Sequence, residues 1–334
     1  MPQDNLKLPF EKIKRKILVK EKVETNPAHG CPPDKRPVEE LINYGVVNID
    51  KPSGPTSHEV ASYVRKILNI KRAGHSGTLD PKVTGVLPIA LGRATRILQF
   101  LLKAGKEYIA LMHLHKKISE EAIRKGLKEF VGLIEQLPPK KSAVKRQLRK
   151  KHVYYIDIIE IDGKDVLFRI GCEAGVYIRK LIHDFGVKMK CGAHMQELRR
   201  TKAGPFDEST LITLQDLLDA YWFWKNEGNE KYIRYCIKPI EFAVQHLPKI
   251  WVKDAAVDAL CHGIDLKIPG IAKLHDYILE GDLVAVMTLK DELIAIGIAE
   301  TMSEKMLRKT KGYAVNIKKV FMKPGTYPKM KKIS

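Results

Sequence analysis

From residue 74 to residue 88 the chain reads Gly74-His75-Ser76-Gly77-Thr78-Leu79-Asp80-Pro81-Lys82-Val83-Thr84-Gly85-Val86-Leu87-Pro88. Three glycines and two prolines are set around one carboxylate, with hydroxyls on either side. Glycine lets a backbone take dihedrals closed to other residues and approach a ligand closely, while Pro81 restricts Asp80 and fixes the direction in which the chain leaves. The segment is therefore a rigid loop that presents Asp80 in one geometry. A carboxylate in a loop is far more often a cap or turn residue than a catalyst, so the loop alone assigns no chemistry.

The surrounding chain of 334 residues exceeds the usual size of one hydrophobic core, which predicts two domains. Residues 1–40 are rich in charge and proline and have no sustained apolar period; they read as an extension that packs on something else. Gly45-Val46-Val47-Asn48-Ile49-Asp50-Lys51 is a short buried strand running into the turn Pro52-Ser53-Gly54-Pro55. Thr56 or Ser57 then caps a helix that puts Val60, Val64, Ile67 and Leu68 on one face. Val153 to Glu160 and Val166 to Gly171 flank Asp162-Gly163 as a hairpin, and helices are expected at about 119–130 and 177–190. From about residue 249 a short helix and three β-rich runs predict a second, mostly β domain. The fold class is α+β, with domains at 41–248 and 249–334 after the extension.

Charge narrows the partners. The 59 Lys and Arg against 39 Asp and Glu give a formal charge of +20, which favours a polyanion, although a solvated basic surface on a heat-adapted protein gives the same balance. Seven of these cations lie between Lys140 and Lys151 with no acid among them: Lys140, Lys141, Lys145, Arg146, Arg149, Lys150 and Lys151. That run reads as an RNA-gripping segment or as a solvated face. Cys31, Cys172, Cys191, Cys236 and Cys261 are odd in number and scattered, which argues against a disulfide framework and a structural zinc site. His183 and Asp184 are adjacent, a poor spacing for a metal on a helix. No metal is expected. No apolar run reaches the roughly 20 residues that span a bilayer, so a cytoplasmic protein without membrane contact is expected.

The string from Gly74 to Pro88 resembles the motif of the TruB and dyskerin family of pseudouridine synthases, G-H-x-G-x-L-D-P-x-x-x-G-x-L-P, at every fixed position. Four more segments resemble the family in the same order: Asn48 to Gly54, Lys106-Glu107-Tyr108, Gly175 to Gly186, and Glu197 to Phe206. The resemblance implies a pseudouridine synthase mixed sheet with flanking helices, followed by a PUA pseudo-barrel on which residues 1–40 pack. It also implies an enzyme that isomerises uridine to pseudouridine in RNA without any cofactor. Asp80 would be the nucleophile and Arg179 its ion-pair partner, while Tyr108 would stack on the uracil and handle a proton. Tyr177, Leu198, Lys51 and His75 would line or brace the substrate site; on the residues alone, Tyr108 is a core aromatic, and His75 reads equally as a structural hydrogen-bonding residue or as one that approaches RNA.

In the family the position of the basic run corresponds to a mobile thumb that closes over RNA, so Lys145, Arg146 and Arg149 would hold substrate. Gly263, Lys267, Pro269 and Gly270 would contact the ACA end of a box H/ACA guide RNA. The compact loop and short basic tail resemble an archaeal-type dyskerin-branch member, without the added transfer RNA recognition structure of the bacterial branch. Implied partners are the guide RNA, ribosomal and transfer RNA targets (including uridine 55 of the T-loop), the small H/ACA core proteins Nop-ten and Gar-one, and a kink-turn-binding protein of ribosomal type. The competing readings are a stand-alone transfer RNA pseudouridine synthase and a noncatalytic RNA-binding scaffold.

Overall fold

The structure, a computed structural model, describes residues 6–138 and 147–329. By their contacts the described residues fall into two units, 6–12 with 47–236 and 13–46 with 237–329. These divisions differ from the sequence boundaries at 40 and 248, and the reason is visible at each end. Leu8 is fully buried and packs near Gly105, and Glu11 caps the Leu8 amide at 2.6 Å and pairs with Lys202 at 2.8 Å, so the first turn belongs to the first unit. Residues further on serve the second unit. There Ile17–Val19 adds an antiparallel edge strand to Ile271–His275, and the Lys20 ammonium donates to the carbonyls of Met306, Leu307 and Lys309.

In the first unit the sheet runs in the order Gly45–Lys51, Thr84–Leu91, Ala193–Ala203, Lys106–Leu114, Asp165–Cys172, Arg149–Asp162 and Gly132–Gln136. Most pairings are antiparallel; Thr84–Leu91 and Ala193–Ala203 run parallel, with Gly85 opposite Arg200. The helices Glu120–Lys128 and Ile178–Lys188 supply Ile123, Leu127, Leu181, Ile182 and Phe185 to a core shared with Ala110, Met112, Phe168 and Ile170. The helix Ser57–Ile67 begins where a capping box forms: Thr56 accepts from the Glu59 amide and the Glu59 carboxylate accepts from the Thr56 amide. Gly163, at a φ of 56°, closes the hairpin between Arg149–Asp162 and Asp165–Cys172.

The second unit is a seven-stranded sheet in the order Ile17–Val19, Ile271–His275, Lys249–Val252, Leu283–Met287, Leu293–Ala299, Tyr313–Val320 and Leu266–Lys267. The helix Asp254–Cys261 contributes Val257 and Leu260 to its core. Its acidic residues are used internally: Glu241 takes a two-pronged bond from Arg36 at 2.7 Å, and Glu292 accepts from the Tyr327 hydroxyl at 2.7 Å. No helix among the described residues is long and apolar enough to cross a membrane.

Candidate active site

The loop around Asp80 is held from three directions. The ammonium of Lys51, with no exposed surface, donates to the carbonyls of Pro52, Pro81 and Val83 at 2.8 to 2.9 Å. The Ser57 hydroxyl accepts from the Leu79 amide at 2.8 Å, and the Gly54 amide donates to the Pro81 carbonyl at 3.0 Å. Lys51 thus binds backbone rather than solvent and fixes the chain after Asp80, while Ser57 fixes it before; burial pushes the Lys51 ammonium down while nearby Asp80 opposes this. Gly85, at a φ of 97°, is the position where the glycine is obligatory. A Cβ there would lie 2.2 Å from the Arg200 carbonyl oxygen.

The structure brings Asp80 and Arg179 together. Arg179 is the second residue of the helix Ile178–Lys188, and its Nη2 lies 2.5 Å from Asp80 Oδ2. Both side chains stay open to solvent, 60 % exposed for Arg179 and 51 % for Asp80. Tyr177, at the N-cap of that helix, is fixed through its backbone: the buried Gln136 side chain accepts from its amide at 3.0 Å and donates to its carbonyl at 3.2 Å.

Tyr108, Leu198 and Arg200 share one face of the sheet, because Tyr108 sits opposite Arg200 and Ala110 opposite Leu198 on neighbouring strands. Tyr108 and Leu198 are half-buried and pack on the core cluster. Arg200 is 1 % exposed; it donates from Nε to the Val86 carbonyl at 2.7 Å and from Nη2 to the Gly77 carbonyl at 3.4 Å, with its charge beside the Tyr108 phenol. Burial pushes the Tyr108 phenol upward, the adjacent guanidinium opposes this, and Asp80 is near enough to add to the rise. Arg200 falls within the string Glu197 to Phe206, where no local pattern marks it for a role. Glu107, buried beside Tyr108, accepts from the hydroxyls of Tyr155 at 2.5 Å and Thr201 at 2.8 Å. His75 lies on the short strand Ala73–His75, and its buried Nδ1 has no hydrogen-bond partner among the described residues.

Comparison with known proteins decides the family. The TruB family pseudouridylate synthase N-terminal domain matches residues 65–178, and the tRNA pseudouridylate synthase B C-terminal domain matches residues 179–245. A "Probable tRNA pseudouridine synthase B" of Pyrococcus furiosus is 61 % identical over 95 % of this chain and 94 % of the relative. This chain belongs to the TruB/dyskerin family of pseudouridine synthases. A like-named protein of Nanoarchaeum equitans is 61 % identical over 97 % of this chain and 92 % of its own length. Among solved structures, a Cbf5-Nop10-Gar1 complex superposes with a TM-score of 0.92 at 60 % identity, covering 98 % of this chain and 99 % of the other. An H/ACA RNP bound to a substrate RNA containing 2'-deoxyuridine gives 0.90 at 57 %, covering 97 % and 99 %.

This family member carries two further matched domains, DKCLD over residues 5–61 and PUA over 248–321. In the PUA domain Gly263 stands exposed at a φ of 83°, Lys267 lies over the Tyr313 ring at 5.6 Å, and Pro269 is exposed. Gly270 is half-buried, with the Ala256 methyl 3.1 Å from where its Cβ would be. The synthase's basic run is divided. Lys145 and Arg146 lie outside the described residues, Arg149 opens the strand Arg149–Asp162, and Lys151 pairs with Glu173 at 2.5 Å, so Lys151 is committed within the fold.

Proposed function

We propose that this synthase isomerises uridine to pseudouridine in ribosomal RNA chosen by a box H/ACA guide, and at uridine 55 of the transfer RNA T-loop. The observation that carries the reading is the Asp80–Arg179 pair at 2.5 Å on a loop clamped by Lys51, within electrostatic reach of Tyr108. The reaction breaks the bond between C1′ and N1, turns the base, and joins C1′ to C5; the proton leaves C5 and N1 gains one, so no redox partner is needed. The carboxylate of Asp80 serves as nucleophile at C1′ or as the base that takes the C2′ proton, and Arg179 aims it. Tyr108 stacks on the uracil, beside Leu198 and Tyr177, and moves the C5 proton. Because Asp80 is half exposed, the extruded base itself has to cover the carboxylate and exclude water.

In this reading Lys145, Arg146 and Arg149 grip substrate RNA, His75 approaches the extruded nucleotide, and exposed Gly263, Lys267 and Pro269 with half-buried Gly270 hold the guide. Domain roles follow the extension 1–40, the catalytic part 41–248 and the PUA part 249–334. Partners of the Nop10 and Gar1 kind, which the name of a superposing structure supports, complete the particle together with a kink-turn-binding protein. The five free cysteines fit a reducing compartment, and the cytoplasm is the place of action. The relatives' name favours a second reading, unguided action on transfer RNA.

The test assembles the protein with the implied partners, a guide and a target tritiated at uracil C5, and in parallel gives it a transfer RNA transcript alone. Guide-dependent tritium release from the ribosomal target supports the guided reading. Release from transfer RNA alone with none from the guided target would replace it with the second. RNA binding with no release from either would leave a scaffold.

A further inference from the structure

A groove of about 490 Å³ in the first unit plays no part in the chemistry described above. It is lined by His58, Ala61, Ser62 and Arg65 of the helix Ser57–Ile67, by Lys71 and Arg72 of the turn that follows, and by Ala73, Gly74 and Thr95. The backbone explains the clustering. The amide of Ile70 donates to the Arg65 carbonyl at 3.1 Å and Asn69 takes a φ of 50°, which folds Lys71 and Arg72 back beside the last helical turn. The amide of Gly92 donates to the Arg72 carbonyl at 2.8 Å and ties that turn to the sheet. The floor is of small side chains, and Leu98 closes it beneath Gly74, where a Cβ would come within 2.9 Å of the Leu98 methyl.

Four basic side chains line the groove and no carboxylate does. Arg65, Lys71 and Arg72 are exposed, and their side chains make no ion pair or hydrogen bond among the described residues. Several cations elsewhere in the unit are neutralised, Arg199 by Asp50 and Glu208, Lys202 by Glu11 and Lys188 by Glu129, while other exposed ones such as Lys66 and Lys82 have no partner among the described residues but do not line this groove. A helix C-terminus accounts for Arg65 alone. It does not account for two more unpaired cations brought to the same groove. Gly74 precedes Asp80 by six residues, so the groove floor lies within about 20 Å of the carboxylate along any path of the chain.

We propose that this groove grips a backbone phosphate of RNA a few nucleotides from the target uridine. Three cations set around a small, open floor fit a phosphodiester, which is held by charge and carries no sequence information. The inference rests on the reading of the chain as an RNA-modifying enzyme. The phosphate belongs to the target strand or to the guide, and the test separates the two.

The experiment uses the full chain in its assembled particle and measures RNA affinity against salt for wild type and for Arg65→Gln/Lys71→Gln/Arg72→Gln, with melting temperature as a check on folding. The salt slope should fall by about one in the triple variant, the value for one phosphate no longer held. Lys66→Gln, one position along the helix and outside the groove, should leave it unchanged. Single neutral methylphosphonates placed along the target and along the guide should weaken wild type at one position in one strand, and should cost the triple variant nothing further there. A folded triple variant with an unchanged slope, an equal loss per charge at Lys66, or no sensitive phosphate in either strand overturns the proposal. Tritium release by wild type is read separately, so failure of the enzymatic reading is distinguishable from failure of this one.

Discussion

Arg179 Nη2 lies 2.5 Å from Asp80 Oδ2, yet the two side chains are 60 % and 51 % exposed. A pair this open to water contributes little to folding, typically under about 1 kcal/mol. Its use is therefore to aim the carboxylate. Arg179→Ala should leave stability within about 1 kcal/mol of wild type while slowing single-turnover tritium release at least about 100-fold. Arg179→Lys should recover little, since an ammonium cannot reproduce the guanidinium fork. A large loss of stability with turnover retained would place Arg179 among structural residues.

Tyr108 sits opposite the buried Arg200 on the neighbouring strand, and that guanidinium opposes the rise that burial imposes on its phenol. Tyr108→Phe keeps the ring and removes the hydroxyl. RNA affinity should stay within about twofold and release should slow at least about tenfold, the size of a lost acid–base contribution. Tyr108→Ala should weaken affinity as well, through loss of stacking. Equal release by the Phe variant and wild type would confine Tyr108 to stacking.

Lys106 offers a pH test. Burial pushes its ammonium down to about 7, and Nζ donates to two carbonyls, Leu101 at 3.0 Å and Ala104 at 2.6 Å, which is the donor count of a neutral amine. The unfolded chain keeps this proton up to about 10.5 and the folded chain releases it near 7, so unfolding takes up a proton between those values. Stability from this group is therefore fully present above about 10.5 and lost as pH falls towards 7. Urea midpoints at pH 7 and pH 9 should rise more in wild type than in Lys106→Met. Parallel rises in the two proteins would contradict the assignment.

Sequence resolved the elements whose pattern is local. The strand before Lys51, the capped helix after Thr56 and the hairpin about Gly163 all carry turn or cap chemistry within a few residues. The central strands Lys106–Leu114 and Ala193–Ala203 were legible only as family strings. Their charged residues break the apolar alternation, and those charges are satisfied inside the sheet: Glu107 by Tyr155 and Thr201, Lys106 by carbonyls, Arg200 by Val86. The helix Leu214–Glu227 carries its own local signals, a Thr213–Asp216 capping box and a left-handed Gly228, outside the motif-bearing strings. Asp80 and Arg179 are 99 residues apart, a pairing that no local pattern encodes and that only the resemblance indicated.

The central claim concerns the carboxylate of Asp80, and Asp80→Asn tests it most directly because the amide keeps the shape of the side chain and removes its charge. In the assembled particle with C5-tritiated target, wild type should release tritium and the Asn variant none above background, with RNA affinity within about twofold of wild type. Release by the Asn variant at a rate near wild type would contradict the account.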